Sequence, residues 1–207
     1  MKKSTIILLV AIAVLSLGLF ASCATEELQE EAQQDYSYTG ETDIEIDDRS
    51  FVLEDPPESK AEEAVVMDFL YTITGEFDKK PEVIADIEPL RMSIEAEKNH
   101  LEEGVYIKSY VIHNIATLSE EQYANDDSSE KNNDPLYYVN LQNLLDEYDL
   151  VDYKIVNVDY TMMYSEKALE WGPQYPEGTY SRSYLVGKEF SSDNYKIYDY
   201  GSMWDAL

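Results

Sequence analysis

A chain of 207 residues with 44% hydrophobic content and 18 tyrosines can bury the core of one ordinary domain with some length to spare. Its 43 acids against 15 bases leave a formal charge of −28, which nucleic-acid phosphates and anionic lipid head groups repel, so nucleic acid is excluded as a partner. One cysteine and two histidines rule out a disulfide framework and a cysteine-based metal centre, and no motif calls for a cofactor.

The chain opens with Met1-Lys2-Lys3 and an uncharged apolar run of 15 residues, Ile6 to Phe20. A bilayer span needs about 20 such residues, so the run has the length of a signal-peptide core instead. Small residues Ala21 and Ser22 precede Cys23. This arrangement resembles the bacterial lipoprotein signal, with Phe20 standing where leucine is usual. The resemblance implies a signal peptide over 1–22, cleavage between Ser22 and Cys23, and a diacylglyceryl thioether on Cys23 as the membrane anchor. It places the mature chain on the extracytoplasmic face of the cell membrane. Two acyl chains make such an anchor durable, since each buried methylene contributes about 0.8 kcal/mol.

Residues 23–58 read as an acidic flexible tether. Ala24 to Ser59 holds 13 acids and one base, Arg49, with few large apolar residues. As a coil, that stretch reaches roughly 30–36 Å. Within it, residues 42–53 alternate at Ile44 and Ile46 and end in Phe51-Val52-Leu53, so they are open to pairing as an edge strand.

The globular domain is expected over 59–207. Pro56-Pro57 and the capping pattern Ser59-Lys60-Ala61-Glu62 introduce a helix whose apolar face is Val65, Val66, Phe69, Leu70 and Ile73, ending at Gly75. A short helix is expected over Pro81–Ile87, stopped by Pro89, and another over Leu90–Glu103, stopped by Gly104. Residues 105–118 form a strand by composition and alternation. The polar run 125–134 is a solvated loop, since it lacks the glycine turn and bidentate glutamate that calcium requires. Pro135 starts a helix through Tyr148 with Leu141, Leu144 and Leu145 facing inward. Then the period becomes two, and residues 152–164, 180–190 and 194–200 read as three antiparallel strands.

The expected class is therefore α+β, with N-terminal helices packed on a curved, mainly antiparallel four-stranded sheet. The order of these elements and the aromatic last strand "NYKIYDYG" resemble the nuclear-transport-factor-2-like cone, over residues 59–204. A cystatin-like arrangement is the main rival. The family contains isomerases, dehydratases and many members that only bind, so the fold leaves function open.

Candidate acid–base groups are Asp68 and Tyr71 on the first helix, His113 on the first strand, and Asp159 and Tyr160 on the second. Asp159 shares a face with Asn157 and Thr161, away from the apolar set Val156, Val158, Tyr160 and Met162, which marks it as solvent-facing. His113 shares parity with Val111 and Ile115 and would point inward, although no sequence partner marks it as a base. His100 sits in a charged helix and is expected to be exposed. Trp171, Tyr175, Tyr180 and Tyr184 gather with Arg182 around a Gly/Pro-rich turn. They offer a contact surface for a ligand or an envelope protein, or simply good cross-strand pairs. No oligomeric state follows from the sequence. The leading function is a non-enzymatic, membrane-anchored domain binding a protein or small ligand; the alternatives are a cavity enzyme doing acid–base chemistry and an envelope scaffold with no ligand. Two titratable groups within hydrogen-bond reach inside the cavity would favour the enzyme, and a filled apolar interior would remove it.

The anchor has a direct test. Cells fed labelled palmitate incorporate it into the wild-type chain and not into Cys23→Ala; a wild-type chain that takes up no label would remove the lipoprotein reading.

Overall fold

The computed structural model describes residues 36–119, 122, 141–148, 150–190, 192–201 and 204–205. The signal segment, Cys23, the first part of the tether, the loop 125–134 and the start of the helix expected from Pro135 lie outside the described residues.

The first elements are β1 (Asp43–Ile46) and β2 (Arg49–Leu53), an antiparallel hairpin. Its two-residue turn holds Asp47 at φ 54°, a left-handed conformation that aspartate tolerates through local hydrogen bonding. The tether expected through residue 58 is thus shorter, because the alternating apolar residues of 42–53 do find a sheet. Phe51 is fully buried and Leu53 nearly so, while Tyr38 packs against the same core. Even Tyr36 is tied in, its hydroxyl donating to Glu63 at 3.2 Å.

Helix α1 (Lys60–Thr74) is capped as expected: Ser59 Oγ accepts from the Glu62 N–H, and Gly75 closes the far end at φ 76°. Glu62 is 5% exposed and fully used. One oxygen accepts from the Glu58 N–H at 2.6 Å, the other from the N–H and hydroxyl of Thr117 at 2.8 and 2.7 Å. A buried carboxylate at a helix N-terminus is favourable in its own right, and here it also ties the helix to the sheet.

Between α1 and the next helix the structure departs from the sequence reading. A 3-10 segment spans Phe77–Glu82, and Pro81 sits inside it instead of opening a helix. Val83 ends the segment in a turn, and Ile84 then bridges Ile197. Pro89 lies in the first turn of α2 (Glu88–Glu102), where its missing N–H costs nothing, so it starts a helix where it was expected to stop one.

Strand β3 (Ile107–Leu118) pairs in parallel with β2 and antiparallel with β4 (Leu150–Tyr164). Helix α3 (Leu141–Tyr148) precedes β4. After β4 comes α4 (Glu166–Trp171), a short helix that the sequence reading missed; Ser165 caps it by accepting from the Ala168 N–H. Strands β5 (Gly178–Glu189) and β6 (Lys196–Tyr200) continue the antiparallel run, and β7 (Trp204–Asp205) pairs with the start of β5. The sheet order is β1-β2-β3-β4-β5-β6, with β7 beside β5. The class is α+β with a curved, mostly antiparallel sheet, as expected, but the path has six strands where four were expected, because the hairpin extends it by two.

Helix α1 lies on one face of this sheet. Phe69 meets Tyr110, Tyr160 and Tyr184 edge-to-face at 4.7, 5.0 and 6.1 Å, one ring from each of β3, β4 and β5. Val156, Val158, Tyr160 and Met162 all point into this core, as their alternation requires. The other face carries Asn157, Asp159 and Thr161, with a smaller apolar cluster of Ala85, Ile155, Leu185 and Tyr198 at one end, against which Leu145 packs.

Because Phe51 belongs to this core, Phe51→Ala should destabilise the whole domain by about 3–5 kcal/mol. Urea unfolding checks this; an unchanged midpoint would mean that the hairpin is not part of the cooperative unit.

Candidate functional site

The core does not fill the space between α1, α2 and the sheet. A cavity of about 560 Å³ lies there, bounded by Asp68, Phe69 and Thr72 of α1, Lys80 of the 3-10 segment, Ser93 and Glu97 of α2, and inward-facing residues of β3, β4, β5 and β6. The size suits a small organic molecule. Its walls are mostly aromatic, with Tyr110, Tyr160, Tyr164, Tyr184 and Tyr200 all contributing. Burial is the main cause holding each of these phenols above its ordinary pKa, so they remain neutral hydrogen-bonding groups.

Two cations stand in this aromatic frame, and their environments differ. Lys80 is 1% exposed. Its ammonium donates to Asp68 Oδ1 at 2.8 Å and to Glu97 Oε2 at 2.6 Å. Burial disfavours the charge, but the two carboxylates outweigh it and raise the lysine above its ordinary pKa. Lys80 is therefore a permanently charged strut that joins α1 to α2, and not a base. Arg182 projects from β5 between Tyr180 and Tyr184. Its Nε donates to the Gly201 carbonyl at 2.6 Å, and its guanidinium carbon sits 4.4 Å from the centre of the Tyr200 ring.

The mouth is framed by His100 at the end of α2 and by Trp171 and the following residues 172–175. His100 and Trp171 are in edge contact at 6.0 Å. Trp171 is 58% exposed, and Tyr175 is half-buried. The aromatic cluster read from the sequence is thus divided by the fold. Trp171 and Tyr175 stand at the opening; Arg182 and Tyr184 lie within. Tyr180 is a core residue, not a contact-surface residue, with its hydroxyl donating to the Pro176 carbonyl at 2.8 Å.

Of the candidate acid–base groups, Asp68 and Tyr160 line the cavity, and Tyr71 does not. Asp159 lies on the outer face, where Asn114 donates to it at 3.5 Å. His113 is also outside, where an inward position was expected. It shares the outer face with Val111, which pairs with the outward Thr161. As the extra residue of a bulge between Ile112 and Asn114 it changes the alternation after it, so that Ile115 points inward. There its Nδ1 lies 2.8 Å from Glu54 Oε2 and its Nε2 lies 2.7 Å from Thr161 Oγ1. A carboxylate, an imidazole and a hydroxyl in sequence have the connectivity of a nucleophile relay. Thr161, however, is a mid-strand residue on an open sheet face, with no pocket for an acyl group and its hydroxyl shared with Thr179 at 2.8 Å. The row is better described as a cross-strand brace linking the end of β2 to β3, β4 and β5.

Sequence reasoning missed Lys80, Glu97 and Ser93. Nothing in "DKKPE" distinguishes the buried Lys80 from the half-exposed Lys79. Among the described residues, no group of histidine, cysteine, aspartate and glutamate side chains is arranged to hold a metal ion, and no helix is long and apolar enough to cross a membrane. No family model, curated protein or solved structure matches the chain.

Replacing Lys80 by methionine leaves two carboxylates facing each other across the cavity. The cost should be roughly 3 kcal/mol at pH 7, the lower end for unpairing a buried charge because Glu97 reaches solvent. The folded-state pKa of Lys80 is raised, so its contribution is complete below the ordinary lysine value of 10.5 and is lost as the pH rises through the folded value. Urea unfolding of wild type and Lys80→Met should differ equally at pH 7 and pH 9 and converge only in stronger alkali. A gap that closes already by pH 9 would contradict the ion-pair account.

Proposed function

We propose that this chain is a lipid-anchored, extracytoplasmic binding protein of the nuclear-transport-factor-2-like kind, holding a small ring-bearing ligand in the cavity between α1 and the sheet. The observation that carries the reading is the cavity itself. Natural cores close to crystal-like packing density, and an aromatic-lined void of about 560 Å³ with an opening to solvent is difficult to explain as packing. The wrapping of a curved sheet around one long helix supports the cone, and the lipoprotein-like start of the chain supports the location.

Binding is favoured over acid–base catalysis by the state of the charged groups. The cavity does hold titratable side chains within hydrogen-bond reach, as an enzyme would require. Yet Lys80 spends its charge on Asp68 and Glu97, and those carboxylates are engaged by it, which leaves no poised acid–base pair.

A thermal-shift panel of small aromatic compounds, both neutral and charged, tests the reading on the full chain. A ligand at a hundred times its Kd adds about 2.7 kcal/mol to stability, which raises Tm by several degrees. The shift should disappear in Val105→Trp, which places a large side chain into the cavity wall. A panel that moves neither protein would remove the ligand-binding reading.

A further inference from the structure

The unequal treatment of the two cavity cations identifies the ligand chemistry more closely. This step rests on the reading of the cavity as a ligand site. Lys80 meets two carboxylates. Arg182, among the described residues, meets none. Asp68 and Glu97 are bonded to Lys80, and Asp199 belongs to the outer face of β6, where it accepts from the Tyr200 N–H at 2.8 Å. Only Nε of the guanidinium is committed to a hydrogen bond, and that bond to the Gly201 carbonyl, with the Tyr200 ring against the plane, fixes the orientation of the group. Arg182 lines the cavity.

Arg182 is a half-buried cation with one hydrogen bond and two rings near its guanidinium, those of Tyr200 and Tyr184 at 4.4 and 5.9 Å. The charge of Asp199 acts on it without a contact, and its terminal nitrogens have no acceptor among the described residues. Those two terminal nitrogens form the rigid fork that fits a carboxylate bidentately. We propose that the ligand is an aromatic monocarboxylate, its carboxylate taken by the terminal nitrogens of Arg182 and its ring lying against the cavity side of the wall that Tyr110, Tyr160 and Tyr184 form. One guanidinium neutralises one negative charge. A doubly charged phosphate monoester is disfavoured, because Asp68 and Glu97 stand in the same cavity and repel the second charge. The apolar edges of the tyrosines and Phe69 supply a place for a ring, and the volume accommodates one or two.

The experiment compares acids with their uncharged isosteres. Calorimetric titration of the full chain uses naphthalene-2-carboxylate, indole-3-acetate and 4-hydroxybenzoate, each beside its primary amide, together with phenyl phosphate. At least one acid should bind about 10- to 100-fold more tightly than its amide, the range of a charge-assisted hydrogen-bond pair, with phenyl phosphate weaker than that acid. Arg182→Met should reduce the acid to the affinity of its amide while the amide itself is unchanged; Arg182→Lys should recover part of the preference. Amides that bind as tightly as acids in wild type would overturn the proposal, and this comparison stands even if Arg182→Met fails to fold. Phenyl phosphate binding most tightly would overturn it in favour of phosphate. If the acids and amides do not bind but other members of the thermal-shift panel do, the carboxylate assignment fails and the ligand cavity survives. If nothing binds, both fail.

Discussion

The insertion of Phe69 into a ring of tyrosines organises this protein. One side chain of α1 makes edge-to-face contacts with three consecutive strands, so the helix position, the sheet curvature and the alignment of β3, β4 and β5 are decided together. The tyrosines suit the role because each has an apolar body for the core and a polar end for the space beyond it. A leucine at those positions would supply the apolar body without the polar end. Phenols leave a cavity whose surface is greasy along the walls and polar at intervals, and the void and the packing thus share one cause.

The charged groups follow from the same geometry. A cation enters such an interior only with compensation, and the two cations here obtain it differently. Lys80 is held by two carboxylates from two helices and serves as a clamp. Arg182 is held by a carbonyl and two rings, which fix its direction but leave it without a carboxylate in contact among the described residues. In the proposed reading, a clamp and a receptor occupy one cavity without competing, since Asp68 and Glu97 are already bonded to Lys80. Loss of either group would have a different signature: one in stability, the other in selectivity.

Much of the scaffold was legible because it is written in local periods. The 3.6-residue spacing of Val65, Val66, Phe69, Leu70 and Ile73 and the two-residue spacing of Val156, Val158, Tyr160 and Met162 identify α1 and β4 with their buried faces. Failures occurred where one residue changes the count or the neighbour lies far away. A single extra residue at His113 put it and Ile115, which share parity in the sequence, on opposite faces, and no residue type announces such a bulge. Pro89 carried a start signal and a stop signal at once, and the first-turn position decided it. Residues 42–53 stayed open between tether and edge strand, because the partner of β2 is more than 50 positions downstream. The cavity was the least legible part. Tyr184 and Arg182 drew notice through composition, but Lys80, Ser93 and Glu97 join them only through the path of the chain.

That distant pairing of β2 also constrains how the chain acquires its structure. The β1–β2 hairpin is local, but two strands alone are marginal in water. Its permanent neighbour is β3, in parallel, and β3 needs β4 and β5, which come later still. The hairpin therefore precedes its partner during synthesis and docks only once the loop through α1 and α2 has closed. Contacts of such long sequence separation slow folding, and until they form, the flank of β3 is an unprotected strand edge. The dense acidic charge around the hairpin, at Asp43, Glu45, Asp47 and Asp48, then acts in time as well as in space: it discourages one waiting chain from pairing with another.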